Sequence, residues 1–464
     1  NRRIAAEYLV ELDVIRRVYE AAEQRSGGGR SRPGGTEMQR EFIKLIAEAA
    51  HLRCSDVHVK VGRYEAEVRV RSDGVMQPLR QLPAAFAADL CAAAFTMADT
   101  SDASYRPYEY QGARVSDVHA PLPEGVQAVR LQFNPLPNGG RYMVCRLLYA
   151  ASQAAAGGDI DTLGYGRVHV EQIRRMRRKP FGINVISGPT GSGKSTTPER
   201  AFSALMREKR GTVNVITIED PPEYVIAGAA QLPVTNAQTD KERGEEFRKA
   251  IPASLRSDPD IIMIGEIRAP ASSALAFTAA MTGHQVWASL HANDALSILD
   301  RLRDHRVEDY KLADHTLITG LVGQRLIRRL CDRCKIPFHE AHADGILDFD
   351  LAEKVARVAG ERVGGVFVAN ERGCPHCRAG YAGRVVIAEC ILPDHAFMAH
   401  IRRQEKEAAL RHWLAHLDGL TMLEHAAQQM VRGSVDPRDV EDRAGELAGF
   451  DPARAEAVFG RLFE

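Results

Sequence analysis

No apolar run in this 464-residue chain approaches the ~20 residues that a membrane-crossing helix needs. A transmembrane segment is therefore not expected. The opening stretch, NRRIAAEYLVELDVIRRVYE, has neither an apolar h-region nor a cleavage-site pattern, so it does not read as a secretory signal. It also lacks an initial Met, and the natural start is expected to be missing or trimmed. No sign of charge dominates: Lys+Arg and Asp+Glu are both 61, a formal net charge of zero. That balance removes any global pull toward nucleic acid and leaves only local patches. Cysteine is scarce, 8 in all, too few for a disulfide scaffold in a chain this long. Four of the eight form two CxxC pairs, which in a reducing compartment point to metal. With 45% hydrophobic and 26% charged residues the rest is ordinary globular composition, long enough for two or three domains of ~150 residues each.

Four stretches follow in order. Residues 1–36 read as an amphipathic helix, with Ile4, Tyr8, Leu9, Leu12, Ile15 and Val18 near helical spacing, and then a flexible linker, RSGGGRSRPGG. Residues 37–150 read as mixed α/β. A helix over 38–51 precedes strands over 55–60 and 65–79, broken by a Ser72-Asp73-Gly74 turn; a helix over 83–98 and strands over 126–133 and 141–148 complete the set. Residues 151–162, AASQAAAGGDID, form a second linker. From 163 to 464 short apolar runs at 183–187, 213–218, 261–264 and 286–290 alternate with helical stretches, the pattern of a parallel sheet with crossover helices. Within that unit, 328–390 carries the cysteine pairs and 391–464 reads as helical.

The apolar run 183–187 leads into Gly188, Pro189, Thr190, Gly191, Ser192, Gly193, Lys194, Ser195 and Thr196, the G-x4-GK[ST] phosphate loop. Glycines let backbone amides turn in around phosphate oxygens, Lys194 supplies charge to the β and γ phosphates, and the Ser195 hydroxyl suits Mg²⁺. A nucleoside triphosphate is the expected ligand. ITIEDPPEY ends a strand with Glu219, followed by Asp220 and Glu223, carboxylates placed to reach the nucleotide crevice and to ligate Mg²⁺ or orient water. DPDIIMIGEIR puts Glu266 just past another strand, where it can polarise an attacking water; Gly265 stands where an aspartate is usual. Arg268 follows as a candidate for a phosphate or a neighbouring carboxylate. TGHQVWASLHANDA brackets a strand with His284 and His291, candidates for γ-phosphate sensing. Cys331, Cys334, Cys374 and Cys377 can close one tetrahedral Zn²⁺ site of the structural kind. Arg-rich runs occur at 174–179 and 325–333; such a run reads as a solvated helix face, or else, for the first, as an anionic-lipid or DNA patch.

Together these motifs resemble the secretion ATPase superfamily of type II secretion, type IV pilus assembly and related conjugative systems. The resemblance implies a RecA-like P-loop ATPase domain (a parallel sheet with helices on both faces) carrying a zinc-knuckle subdomain and preceded by a PAS-like α/β domain. SDVHVK with VRVRSDG carries the PAS-like part. CDRC with GCPHCRAGYAGR carries the tetracysteine segment of the pilus-extension and type II secretion branch. It further implies ATP and Mg²⁺ as cofactors, a homo-hexamer, and phosphate contacts from arginines of the first domain, matched here by Arg130 and Arg146. Its members work in the cytoplasm, peripheral to the inner membrane, on a membrane platform protein, with no direct nucleic-acid contact expected. A nucleic-acid or conjugation motor on the same core, and a pilus retraction ATPase, are the alternatives.

Overall fold

Alternation of apolar and charged residues builds the first sheet. In the strand Glu65–Ser72, EAEVRVRS, the side chains of Ala66, Val68 and Val70 are buried and those between them face outward. The computed structural model describes residues 33–101, 104–118, 120–149, 159–220, 222–224, 226–234 and 240–460. The helix expected over 1–24 and most of both linkers lie outside these residues. The chain divides into two units, one ending at Leu147 and one beginning at Leu148 that also takes in Asp73–Val75.

The first unit holds helix α1 (Pro33–His51), β1 (Asp56–Val61), β2 (Glu65–Ser72), β3 (Val75–Pro83), α2 (Ala84–Thr96), β4 (Thr100–Ser101), β5 (Gln111–Ser116), β6 (Val126–Pro135) and β7 (Arg141–Tyr149). Its seven strands run in the order β3-β2-β1-β7-β6-β5-β4. The apolar sides of the helices, Phe42 and Ile46 from α1 and Leu90 and Ala94 from α2, are buried, and both helices pack on β1. Sequence periodicity did not signal β5.

The second unit runs through α3 (Arg167–Arg177), β8 (Gly182–Ser187), α4 (Thr196–Glu208), β9 (Val215–Glu219), β10 (Ala230–Pro233), α5 (Asp240–Leu255), β11 (Ile261–Ile264), α6 (Pro270–Met281), β12 (Gln285–Leu290), α7 (Ser297–Asp304), α8 (Asp309–Leu312) and β13 (Ile318–Leu330). After these come β14 (Ile336–Pro337), α9 (Phe338–Ala343), α10 (Phe349–Ala359), β15 (Phe367–Val368), β16 (Tyr381–Ile391), α11 (His395–Arg402), α12 (Lys406–His416), α13 (Met422–Val431), α14 (Pro437–Arg443) and α15 (Ala455–Phe459). The large sheet has the order β10-β9-β11-β12-β8-β13-β16. Every neighbouring pair from β10 to β13 is parallel, and β16 closes the edge antiparallel to β13.

Both faces of this sheet are covered. Val185, Ile262, Ile264, Val286 and Ala288 join one core with Phe277 of α6 and Ile298 of α7. Their neighbours along the strands, Ile186, Ile261, Met263 and Trp287, join another with Ile173 of α3 and Phe202 of α4. That division is why these strands read as unbroken apolar runs. Phe202 meets Trp287 edge to face at 5.6 Å between centroids, worth about 1 kcal/mol beyond the burial itself. A third core joins Phe338, Leu351 and Val355 of the insertion between β13 and β16 to Met430, Val440 and Phe459 near the C-terminus. The cysteine-bearing segment and the last helices thus share one interior. No described helix is long and apolar enough to cross a membrane.

Each arginine run is solvated only in part: Arg175, Arg178, Lys179, Arg329 and Arg333 are exposed, while other members are engaged within the unit. Arg174 and Arg177 both clamp the Asp159 carboxylate, each at 3.0 Å, and Arg177 is buried. Arg328 forms a two-pronged pair with Asp439 and lies over the Tyr381 ring at 3.8 Å, and Arg329 donates to the Ala382 carbonyl.

Candidate active site

Because β8, β9, β11 and β12 are parallel, whatever follows each of them opens on the same edge of the sheet. After β8 the loop Gly188–Thr196 turns into α4, whose first residue is Thr196, so the positive end of that helix points at the loop. Gly191 and Gly193 take φ of 76° and 85° there. Pro198 falls in the first turn of α4, where its missing amide costs no helical bond. Thr196 Oγ1 donates to Tyr224 Oη at 3.4 Å.

Lys194 Nζ donates to the carbonyls of Gly188 at 2.6 Å and Pro189 at 3.0 Å, and lies 3.4 Å from His291 Nδ1. His291 follows β12. Its Nδ1 is 3.2 Å from the Gly188 carbonyl and its Nε2 is 3.1 Å from Glu266 Oε1. Glu266 follows β11, and its other oxygen accepts from Arg268 Nη2 at 2.7 Å. Arg268 reaches on to Asp220 at 3.5 Å, which Arg243 also approaches at 3.4 Å. One chain of polar groups thus links the loop lysine to residues from β11, β12 and the end of β9. Desolvation lowers the Lys194 pKa, opposed by the charges of Glu266 and Glu223. Glu223 is exposed, yet near enough to Lys194 to act on it.

Glu219, the last residue of β9, is buried. Its Oε1 accepts from Thr217 Oγ1 at 2.6 Å and Gln231 Nε2 at 3.0 Å. A Cβ on Gly265 would stand 3.3 Å from both Cα and Cγ of Glu219 and 3.1 Å from the Ile218 carbonyl. Glu219 thus crowds the space that an aspartate at 265 would need.

His284 does not join this group. It precedes β12, at the amino edge of the sheet, and its ring contacts Thr282 and the Ala279 carbonyl. Six residues of strand, about 20 Å at the usual rise, separate it from His291. Arg130 and Arg146 lie in the first unit, on β6 and β7. Arg146 Nε donates to Asp56 Oδ1 at 3.0 Å, and Arg130 is the register partner of Arg114. Sequence reasoning passed over Gln324. Gln324 is fully buried on β13; its amide donates to the Ser192 carbonyl at 2.8 Å, and its oxygen accepts from Tyr165 at 2.6 Å and Thr197 at 3.0 Å. A glutamine inside an apolar strand (ITGLVGQRL) was the available signal.

Cys331, Cys334, Cys374 and Cys377 come together with all four Sγ atoms within 4.8 Å of one another. Sγ separations of 3.8 Å (331–374), 3.4 Å (334–377) and 3.5 Å (374–377) compare with the ~3.8 Å that four thiolates 2.3 Å from a tetrahedral Zn²⁺ would adopt. The four residues therefore fit zinc. His376 gives the cluster its backbone amide, which donates to the Cys374 sulfur at 3.4 Å. Cys54, Cys91, Cys145 and Cys390 are buried and form no disulfide.

A parallel sheet sandwiched by helices, with a lysine-bearing loop at its carboxyl edge, defines the class: a RecA-like P-loop fold. Within that class, the chain belongs to the family described as Type II/IV secretion system protein, matched over residues 35–442. It is 35% identical over 390 residues to the type IV pilus assembly ATPase PilB of Thermus thermophilus, covering 82% of this chain and 41% of that protein. To the type II secretion system protein E of Klebsiella pneumoniae it is 34% identical over 368 residues, covering 79% of this chain and 68% of the relative. Among solved structures it resembles the pilus retraction motor PilT with bound ADP, at a TM-score of 0.56 and 22% identity over 88% of this chain and 98% of that one. The Yersinia pseudotuberculosis ATPase DotB gives 0.55 at 20% identity, over 88% and 94%. These two likenesses concern the fold.

Proposed function

We propose that this chain is a Mg²⁺-dependent ATPase that works as a hexamer in the cytoplasm and drives pilus assembly or type II secretion through a membrane platform protein. The observation that carries the reading is the meeting of Lys194, His291 and Glu266 at the carboxyl edge of one parallel sheet. The loop Gly188–Thr196 holds the phosphates, and Ser195 takes Mg²⁺. Glu266 orients and polarises the attacking water, and Glu219 supports the metal's water shell from its fixed position. His291, between the loop and Glu266, reports whether a γ-phosphate is present; Arg268 holds Glu266 in place, and Glu223 adds negative charge beside Lys194. His284 has no part in this site. Arg130 and Arg146 of the first unit contribute phosphate contacts, as the family resemblance implies. The four cysteines hold a structural Zn²⁺. The curated relatives named for pilus assembly and type II secretion, together with the tetracysteine segment, favour that work over retraction. Phosphate release from ATP by the purified chain tests the reading. Wild type is expected to turn ATP over and Lys194→Ala to lose that turnover; equal rates would defeat the P-loop assignment.

A further inference from the structure

Among the described residues Glu389, on β16, is an ionisable group that the proposed chemistry does not use, yet its carboxylate ties two remote parts of the second unit together. Oε2 accepts from the backbone amide of Ala295 at 3.0 Å, and Oε1 accepts from the backbone amide of Met422, also at 3.0 Å. Ala295 ends the segment His291–Ala295 that leaves β12 with the candidate γ-phosphate histidine at its head. Met422 opens α13.

The rest of that segment is pinned from the same side. Ser187 Oγ, at the end of β8, donates to the Asp294 carbonyl at 3.3 Å, and Arg325 donates to the Asn293 carbonyl at 3.3 Å. Gly323 stands opposite Glu389 in the β13–β16 register and opposite Ser187 in the β8–β13 register. A Cβ there would come within 2.6 Å of the Ala295 nitrogen and 2.9 Å of the Asp294 carbonyl carbon, so the glycine is what lets the segment lie against the strand.

Helix capping accounts for only one of the two bonds: Met422 gives a first-turn amide of α13, whereas Ala295 belongs to the segment after β12. Thr421 and Glu424 already form a reciprocal capping box at the start of α13. Burial pushes the Glu389 carboxyl above the usual range, against the two amide bonds and Arg325, which favour its charged form. A neutral residue would have been cheaper to enclose here.

We propose that Glu389 is a positioning residue for ATP hydrolysis: it fixes the His291–Ala295 segment, and hence the His291 ring between Lys194 and Glu266, and ties that segment to the C-terminal helices. The proposal rests on the ATPase reading given above. Gln at 389 keeps the shape but presents an amide N–H₂ to one of the two backbone donors, so one bond is lost.

The test uses the full chain and measures ATP turnover and nucleotide affinity separately. Glu389→Gln is expected to lower kcat roughly 10- to 100-fold, as a displacement near 1 Å can, with affinity for a non-hydrolysable ATP analogue within about twofold. In the Glu389→Gln, His291→Ala double variant, turnover should be no lower than in His291→Ala alone, because both act through one ring. Gly323→Ala pushes the same segment from the opposite strand and should repeat the kcat loss with affinity kept; it carries the test if Glu389→Gln does not fold. A folded Glu389→Gln or Gly323→Ala with wild-type kcat, or losses that multiply in the double variant, would overturn the proposal. An inactive wild type would defeat the ATPase reading and this proposal with it, whereas an active wild type with unimpaired variants defeats this proposal alone.

Discussion

In the proposed mechanism Glu266 carries the water-activating role because geometry leaves few competitors. Its oxygens divide between His291 and Arg268, so the carboxylate has a fixed orientation without being enclosed. Glu219 is closer to the core and already engaged by Thr217 and Gln231, which suits support better than proton transfer. Gly265 belongs to the same arrangement: side-chain volume absent at 265 is taken by Glu219. Glu266→Gln preserves size and can still accept from Arg268, but it cannot take a proton. Nucleotide affinity is expected to stay near wild type while kcat falls by about 10²-fold or more, read by a single-turnover assay beside a binding titration. Wild-type turnover in that variant would move the role elsewhere. These residues were legible because each directly follows an apolar run. His284 misled because two histidines flanking one strand look equivalent in one dimension. The direction of a parallel strand separates them, since the loop Gly188–Thr196 follows β8 at the edge of the sheet where His291 lies and His284 does not. Gln324 and Glu389 were not legible, being single polar residues in strands whose pairing partners only the fold supplies.

At the scale of elements, β8, β9, β11 and β12 read clearly because burial on both faces leaves continuous apolar runs. β13 and β16 did not: both carry arginines at their outer ends, and their antiparallel pairing spans the whole cysteine-bearing insertion. The two CxxC turns sit at that outer end. Cys331 directly follows β13 and donates its amide to the Gly380 carbonyl, one residue before β16, at 2.8 Å. A zinc ion there would close the base of the insertion, whose apolar residues pack on the C-terminal helices rather than on the phosphate loop. The consequence is a separation of stability from chemistry. The chain is expected to carry one zinc, measured by elemental analysis. Its removal by a chelator should lower the thermal midpoint while leaving ATP affinity at low temperature near wild type. A chain that contains no zinc, or whose midpoint ignores chelation, would show that the cluster does not bind or depend on that ion.

For the whole molecule, the absence of net charge and the pairing of Arg174 and Arg177 with Asp159 and of Arg328 with Asp439 weaken the case for a nucleic-acid groove. The assembly that the family resemblance implies is a ring of identical subunits, and a ring makes a demand that independent chains do not. If hydrolysis in one subunit must move its neighbours, as rigid-body coupling between domains requires, then a subunit unable to hydrolyse stalls more than itself. Lys194→Ala supplies such a subunit, because the substitution removes a charge on the loop and leaves the core layers on both faces of the sheet in place. Wild type and Lys194→Ala, mixed in equal amounts and allowed to exchange, are therefore expected to hydrolyse ATP at well under half the wild-type rate at the same total concentration. Chains that fire independently would give half. A rate proportional to the wild-type fraction across mixing ratios, with particle size remaining that of a single chain in the presence of ATP, would remove the ring from the proposal while leaving the site built by Lys194, His291 and Glu266 untouched.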